Sequence, residues 1–350
     1  MAARRYPPRV KATLAPAPAA SPVRRRGRLL WPLVALALVL GGIGVRLAAS
    51  GGAPLPDALQ DGVTLAISVF IESLPFIVLG VLLSIVVQIW LPARWIDRAL
   101  PRTPWLRRGV LSLLGILLPV CECGNVPLAR GLVARGLAPA ESITFLLAAP
   151  ILNPVTIITT YQAFGWDHGI LVARVLGGFV IANLVGWMFS RHPDQGAILT
   201  PSFAASCRAH HEHADGDRRW SRSVARFAEE TSTLLPALAV GCAIAGLIQV
   251  GIPREWLEAL GSNPWWSVLA LMALAFVVSI CSNVDAFFML AFGSVFLPGG
   301  IVAFLTFGAM VDVKMVALMR TTFRTAAIAQ IVAVVGLASL VLGLAVNLIA

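Results

Sequence analysis

Hydrophobic residues along this chain fall into long runs that contain no charged side chain. The runs without Asp, Glu, Lys or Arg are 29–45, 62–71, 73–90, 142–166, 231–253, 259–284, 286–311 and 325–350. Several exceed the roughly 18–20 apolar residues that a helix needs to span a bilayer. Because hydrocarbon offers no water to the backbone, helices that satisfy their own N–H and C=O groups are expected. The pattern predicts an all-α polytopic membrane protein whose first partner is the lipid bilayer.

Composition agrees with this prediction and excludes several other classes of protein. The chain is 58% hydrophobic and 13% charged, whereas a soluble domain carries about 25% charged residues. The net charge is +10, but Lys and Arg lie between the hydrophobic runs. They form no basic face interleaved with aromatic residues, so no nucleic-acid partner is predicted. The sequence contains no Gly-x-x-x-x-Gly-Lys-Ser/Thr motif for nucleotide phosphates, and no cofactor is predicted.

Three regions lie outside the main hydrophobic body. Residues 1–28 are predicted to be a disordered basic cytoplasmic tail, because they are rich in Pro, Ala and Arg. Residues 29–48 are predicted to be an extra N-terminal transmembrane helix that is retained, because the stretch lacks a convincing small-residue cleavage site; a cleaved signal peptide is the alternative. Residues 191–221 are predicted to be a His-rich cytoplasmic linker.

An internal repeat divides the remaining sequence into two halves, predicted at 58–190 and 222–350. Four matches share a displacement of 161 positions: Pro75, Gly80, Pro92 and Trp95 recur as Pro236, Gly241, Pro253 and Trp256. Further matches, displaced by 158 and 159 positions, pair Cys123 with Cys281 and Pro139 with Pro298. The shared order of these matches predicts a duplicated unit.

The placement of positive charge predicts how the two halves are oriented. If the segments near 110–126 and 266–290 enter and return to the same side, the basic regions between the crossings all lie in the cytoplasm. The Lys and Arg that then lie elsewhere, four of the 27, are Arg46, Arg174, Arg254 and Lys314. This arrangement predicts an inverted-repeat, transporter-like bundle in the cell membrane. It has a cytoplasmic N-terminus, seven full crossings and two re-entrant or broken-helix hairpins.

Each predicted hairpin contains a polar break. Val110–Val120 is too short to cross a bilayer and leads into Cys121-Glu-Cys-Gly-Asn-Val-Pro127, where Gly and Pro disfavour helix. In the second half, Leu269–Ile280 leads into Cys281-Ser-Asn-Val-Asp285. A polar break at this depth must face protein or water, and inverted-repeat transporters build substrate sites from such breaks. We therefore expect the two breaks to meet near the bilayer centre.

The cysteines of these breaks predict a site for a soft solute. Cys121 and Cys123 can direct both sulfurs at one ion if the backbone between them is extended, whereas on a regular helix they diverge by about 200°. Cys281 could add a third thiolate. Thiolates suit Cu(I), Zn(II) or a trivalent arsenical. The structural alternative is that buried cysteines act as small apolar fillers.

Charged side chains within membrane segments are costly and are therefore candidates for solute binding or proton coupling. Together with the polar residues of the breaks, the predicted set is Cys121, Glu122, Cys123, Asn125, Asn153, Cys281, Asn283, Asp285, Asp312, Lys314 and Glu72. The alternative for the charged members is structural pairing between helices, and Asp312 and Lys314, two positions apart, could neutralise each other or a partner. Arg174 is either an end residue that reaches the interface or a counter-ion to one of the carboxylates.

The linker carries a second group of candidate metal ligands, Cys207, His210, His211 and His213. Four ligand side chains within seven residues suit zinc or another metal. No second ligand pair follows at a zinc-finger spacing, so a solvated loop is the alternative.

Four segments resemble a known family when taken together: Pro119–Pro127, Phe145–Pro154, Cys281–Phe287 and Ala303–Lys314. They are similar to the bacterial predicted-permease family that includes the methylarsenite efflux permeases. The resemblance covers residues 60–350 and implies a permease without naming its solute. Asn283 stands where many relatives are expected to carry an acidic residue, which leaves proton coupling at this position in doubt.

These observations predict a secondary permease, rather than an enzyme, that exports a soft metal or metalloid or another thiol-seeking solute. Two alternatives remain at the level of sequence. The first is a membrane thiol–disulfide oxidoreductase that uses Cys121 and Cys123, and the second is a non-transporting accessory membrane subunit. A homo-oligomer or a companion subunit is compatible with each of these functions.

Overall fold

The computed structural model describes residues 57–92, 100–101, 103–118, 120–212, 219–250, 264–291 and 296–349. The predicted tail (1–28) and first transmembrane helix (29–48) lie outside the described residues. The helices are α1 (Asp57–Ile85, continued by a π-helical turn Val86–Trp90), α2 (Pro104–Leu117), α3 (Glu122–Ala134), α4 (Pro139–Ala148), α5 (Pro154–Phe164), α6 (Ile170–Ser190), α7 (Pro201–Glu212), α8 (Arg219–Val250), α9 (Pro264–Val278), α10 (Asp285–Leu290), α11 (Pro298–Met310), α12 (Val313–Met319) and α13 (Thr325–Ile349).

The prediction of an all-α polytopic membrane protein is confirmed. Within the described residues there is no β-strand beyond one isolated bridge between Leu199 and Phe323. Among the described residues, five helical stretches are long and apolar enough to cross a membrane: Gln60–Trp90, Asp167–Ser190, Arg219–Gln249, Pro298–Met319 and Thr325–Ile349. A sixth predicted crossing is built from α4 and α5, which are short helices separated by a break.

Proline determines where many of the short helices begin. Six of the described helices start at a proline: Pro104, Pro139, Pro154, Pro201, Pro264 and Pro298. The N–H groups of the first helical turn have no hydrogen-bond partner within the helix, so proline loses nothing by lacking one there. The fixed φ of proline is also already helical. Three other prolines, by contrast, lie in helix interiors: Pro75 in α1, Pro127 in α3 and Pro236 in α8. Proline placement thus divides the membrane-embedded chain into long crossings and short, broken segments.

The same pairs of helices are in contact in both halves of the chain, as a duplicated unit requires. α2 packs on α4 and α4 on α6 in the first half, and α9 packs on α11 and α11 on α13 in the second. Across the halves, α1 packs along α8 and α6 along α13, while α5 contacts α10 and α3 contacts α12. The inverted orientation of the two halves stays a prediction.

Glycine permits the closest helix contacts around the broken segments. A Cβ atom at Gly80 of α1 would collide with the backbone of Gly124 in α3. A Cβ atom at Gly241 of α8 would lie 2.8 Å from the Cα atom of Lys314 in α12. Gly80 and Gly241 are a matched pair of the predicted repeat. Each therefore brings a long helix against a segment that carries candidate site residues.

The described first part of the linker, residues 191–212, contains a helix rather than an open loop. Residues 201–212 form α7, and Phe203 at its start is buried. The Arg130 guanidinium of α3 lies 4.3 Å from the centre of the Phe203 ring, a cation–π contact. Arg130 also donates to Glu230 of α8, with 2.7 Å from Nε to Oε2. The first part of the linker is therefore anchored to the bundle through α3.

Candidate solute site at the helix breaks

Four helix breaks converge in the interior of the bundle. They precede α3, α5, α10 and α12 and comprise residues 118 and 120–121, 149–153, 279–284 and 311–312. The Asn153 amide donates to the Val120 carbonyl at 3.0 Å, which joins the first two breaks. The Lys314 ammonium, just beyond the last break, donates to the Ser279 carbonyl at 2.7 Å. Residues 118, 120–122, 149–156, 279–285 and 311–314 are called the break cluster below.

Glu122 is the centre of the break cluster. Its carboxylate Oε2 accepts hydrogen bonds from the backbone N–H of Ser282 at 3.3 Å and from the Ser282 hydroxyl at 3.0 Å. Its other oxygen, Oε1, lies 2.9 Å from the Lys314 ammonium. Glu122 and Lys314 are 1% and 2% exposed, so the ion pair is shielded from solvent. Glu122 thus links the break of the first half to two segments of the second half.

Lys314 lies between two carboxylates. Besides Glu122, it approaches Asp312, with 3.7 Å from Nζ to Oδ2. The other oxygen of Asp312 accepts from the Met315 backbone N–H at 2.6 Å and caps α12. Asp312 and Lys314 therefore pair as the sequence suggested, but Glu122 is the closer partner of the lysine.

A second buried ion pair flanks the first. Arg174 of α6 donates to both carboxylate oxygens of Asp285, at 3.0 Å and 2.6 Å. It also donates to the Thr160 hydroxyl at 2.7 Å and to the Ser282 carbonyl at 3.4 Å. Arg174 is thus a counter-ion to Asp285, which decides between the two sequence interpretations of this residue.

Thiols lie beside the Glu122 carboxylate. One sulfur each of Cys121 and Cys281 and one carboxylate oxygen of Glu122 all lie within 4.8 Å of one another, and all three residues are buried. Cys123 lies within α3, and its thiol donates to the Ser73 hydroxyl of α1 at 3.7 Å. The closest group of three ligands is therefore Cys121, Glu122 and Cys281, with Cys123 next to it.

Amide side chains complete the cluster. Asn283 accepts from the Thr156 hydroxyl at 3.2 Å and lies 3.5 Å from the Asn153 amide nitrogen. The Asn153 carbonyl oxygen caps α5 by accepting from the Val155 backbone N–H. Asn125 is fully buried, and neither its amide nitrogen nor its amide oxygen has a hydrogen-bond partner in the described part of the chain. Such a side chain is costly unless a ligand or water meets it.

The remaining predicted residues lie apart from this cluster. Glu72 is exposed in the middle of α1 and forms no salt bridge with any described residue. In the linker, burial raises the pKa of the Cys207 thiol, which disfavours the thiolate that a metal requires. The side chains of His210 and His211, and all of His213, lie outside what the structure describes. The linker metal site stays a prediction.

Sequence reasoning missed several residues of the cluster. Ser282, Thr156 and Thr160 hold charged or amide groups in place but carry no distinctive sequence signal. Ser282 could have been noticed because it lies between Cys281 and Asn283 in the second break. The threonines lie in α5, one turn apart, and only their position after the Asn153 break marks them.

The electrostatic balance of the interior follows from these contacts. At the break cluster and the ion pair that flanks it, three buried carboxylates, Glu122, Asp285 and Asp312, are opposed by two buried cations, Arg174 and Lys314. Each carboxylate is at or next to the first residue of a short helix, where the helix dipole favours negative charge. A bundle of membrane-crossing helices whose breaks enclose buried ionised groups and thiols defines a polytopic membrane permease.

Comparison with known proteins gives the same class and a family. Residues 58–348 match the family described as a predicted permease, and the chain belongs to that family. The UPF0718 protein YcgR of Bacillus subtilis (strain 168) is 34% identical over 260 residues, which cover 74% of this chain and 87% of that protein. A putative two-component membrane permease complex subunit of Streptococcus mutans is 30% identical over 279 residues, which cover 79% and 92%. No solved structure matches the chain.

Proposed function

We propose that this permease carries a soft, thiol-binding metal or metalloid and holds it with Cys121, Cys281 and Glu122. One observation carries the proposal: a ligand atom from each of these three buried residues lies within 4.8 Å of the other two. The cysteines come from opposite halves of the chain, so a bound solute would bridge the halves. A site at such a junction is suited to alternate access, in which one half moves against the other.

The ligand types narrow the class of solute. Sulfur ligands favour soft centres such as Cu(I), Zn(II), Cd(II) or trivalent arsenic. Hard cations such as Mg²⁺ and Ca²⁺ prefer sites built from oxygen alone. The three ligands leave further coordination positions open, as a site that must also release its solute requires.

We further propose that the linker lies in the cytoplasm of the cell, with export as the direction of transport. The distribution of Lys and Arg supports this orientation. A reporter that is active only in the cytoplasm, fused after residue 210, should be active, and one that requires export should be silent. The opposite pair of results would contradict the predicted orientation of the two halves.

A companion subunit is the partner we propose. The Streptococcus mutans relative is named as a subunit of a two-component membrane permease complex. Glu72 of this chain is exposed halfway along a membrane-crossing helix, where an unpaired carboxylate is costly in lipid. Replacing Glu72 by Leu should weaken co-purification of a companion subunit; unchanged co-purification would place the contact elsewhere.

The central test is transport by serine variants of the site cysteines. Everted membrane vesicles that contain the protein should accumulate Cd²⁺ or phenylarsine oxide, and Cys121→Ser and Cys281→Ser should each lower uptake at least about tenfold, since oxygen replaces sulfur poorly for a soft centre. Cys242→Ser is the matched control, because Cys242 is equally buried but lies in α8 outside the ligand group. Full uptake by the Cys121→Ser/Cys281→Ser protein would disprove the proposed site.

The same serine variants also test the alternative function, which is thiol–disulfide exchange. Cys121, Cys123 and Cys281 are all free and buried, which limits access by a partner thiol. If the serine variants abolish disulfide transfer to a reporter but leave metal uptake intact, the oxidoreductase is the better description.

A further inference from the structure

We propose that Lys314 acts as a tethered cation that neutralises Glu122 when no solute is bound and moves to Asp312 when a soft metal cation takes its place. The proposal rests on the proposed function and narrows it. Only a solute that carries positive charge drives this exchange. A neutral thiol-binding solute leaves Lys314 paired with Glu122.

The first step is that Lys314 and the solute compete for the same oxygen. Lys314 lies 2.9 Å from Glu122 Oε1, but Oε1 receives no aligned hydrogen bond. The other oxygen is fixed by the two hydrogen bonds from Ser282. A cation bound to Cys121 and Cys281 would therefore find Oε1 as the replaceable position of the carboxylate.

The second step is that a destination for the lysine already exists. Asp312 Oδ2 lies 3.7 Å from the Lys314 ammonium and has no hydrogen-bond partner among the described residues. Asp312 is fixed by its other oxygen, which caps α12, so it does not need to move. Lys314 can keep its 2.7 Å hydrogen bond to the Ser279 carbonyl while it shifts from one carboxylate to the other.

The third step is that the total charge stays constant. With two neutral thiols, the charges of Glu122, Asp312 and Lys314 sum to −1. A divalent cation that binds two thiolates releases their two protons, and the sum is again −1. The buried site therefore gains no net charge on loading, and only the pairing of Lys314 changes. Phenylarsine oxide also binds two thiols, with loss of water, but it brings no charge and leaves the Glu122–Lys314 pair in place.

The consequence for transport is that the loaded carrier and the empty carrier depend on different residues. The loaded form needs only the ligands, whereas return without solute requires Lys314 to neutralise Glu122. Without the lysine, the protein should bind the cation more tightly and exchange it across the membrane, but it should lose net transport.

The test uses the double variant Asp312→Asn/Lys314→Met. Lys314→Met alone leaves two buried carboxylates, Glu122 and Asp312, without the lysine and risks misfolding. The double variant leaves Glu122 as the one carboxylate without the lysine. The asparagine at position 312 can still cap α12. In detergent, this variant should bind Cd²⁺ with a Kd at least about tenfold lower than that of the wild type, equivalent to about 1.4 kcal/mol. Its Kd for phenylarsine oxide should be unchanged. In vesicles, exchange of radioactive cadmium should persist while net cadmium transport is lost.

The possible outcomes separate this inference from the proposed function. If neither probe binds the wild-type protein, the proposed site is wrong. If both probes bind the wild type but Cd²⁺ binds the double variant no more tightly, the site stands and the lysine exchange is wrong. Net cadmium transport at the wild-type rate by the double variant would also overturn the exchange. A gain in affinity for both probes would show that the lysine acts on the thiols rather than on charge.

Discussion

Replacing Arg174 by methionine is expected to destabilise the protein by about 3–5 kcal/mol, because it leaves the Asp285 carboxylate buried without its cation. The two side chains are 1% and 4% exposed, and Arg174 donates to both carboxylate oxygens. Asp285→Asn should be similarly harmful, because it leaves the guanidinium unpaired. The double variant Arg174→Met/Asp285→Asn should recover part of the loss.

Thermal unfolding of the purified protein in detergent would measure these differences. Arg107→Met is a suitable control, since Arg107 pairs with Glu141 at 3.0 Å but is 31% exposed. Glu141 is 13% exposed, so this pair is only partly accessible to solvent. It should contribute less than the fully buried Arg174–Asp285 pair, and the control should change stability less than Arg174→Met does. If Arg174→Met unfolds like the wild type but fails to transport, the pair belongs to the transport cycle rather than to the stability of the fold.

The helix breaks were only partly predictable from sequence. The second break was located correctly, because residues 279–284 are not helical and include Cys281–Val284. The prediction that Gly and Pro interrupt helix across Cys121–Pro127 was wrong from Glu122 onward, since α3 begins there and contains Gly124 and Pro127, with Gly124 packed against Gly80 of α1. The partners of the buried charges were not predictable, because they are distant in sequence. Arg174 and Asp285 are 111 positions apart, and periodicity carries no information about such a pair.

The predicted Asp312–Lys314 pair shows how tertiary structure changes the meaning of a local motif. On sequence alone, loss of Asp312 leaves Lys314 unpaired. In the structure, Glu122 is closer to the lysine than Asp312 is, at 2.9 Å against 3.7 Å. Asp312→Asn therefore leaves a paired lysine, and the structure lowers the cost expected from that change.

Two other candidates were separated from the site by the direction in which their side chains point. Cys121 precedes α3 and directs its sulfur at Cys281, whereas Cys123 lies one step into the helix and contacts Ser73. Glu72 has the sequence signature of a buried coupling group, but it lies on the exposed side of α1 while the adjacent Ser73 faces α3. Spacing along the chain does not reveal which face of a membrane helix is turned inward.

Because Glu122 is surrounded by charged groups, replacing Glu122 itself is a sharp test of the site. Glu122→Gln removes the oxygen ligand and one negative charge, yet Lys314 and Asp312 remain as a neutral pair. The glutamine carbonyl can still accept the hydrogen bonds from Ser282, so the break should keep its structure. We therefore expect a folded protein, with a change in stability far smaller than that of Arg174→Met.

Cadmium transport by the Glu122→Gln protein should nevertheless fall at least about tenfold, since even residues that only support a metal ligand cost 10–100-fold in affinity when replaced. Phenylarsine oxide needs only the two thiols and should be carried at a rate much closer to that of the wild type. Glu141→Gln serves as the matched control, because Glu141 pairs with Arg107 away from the cluster. Equal loss of both solutes would mean that Glu122 supports the protein's conformational cycle rather than binding the cation. Unchanged cadmium transport would remove Glu122 from the ligand set and leave the two cysteines, one from each half of the chain, as the whole of the site.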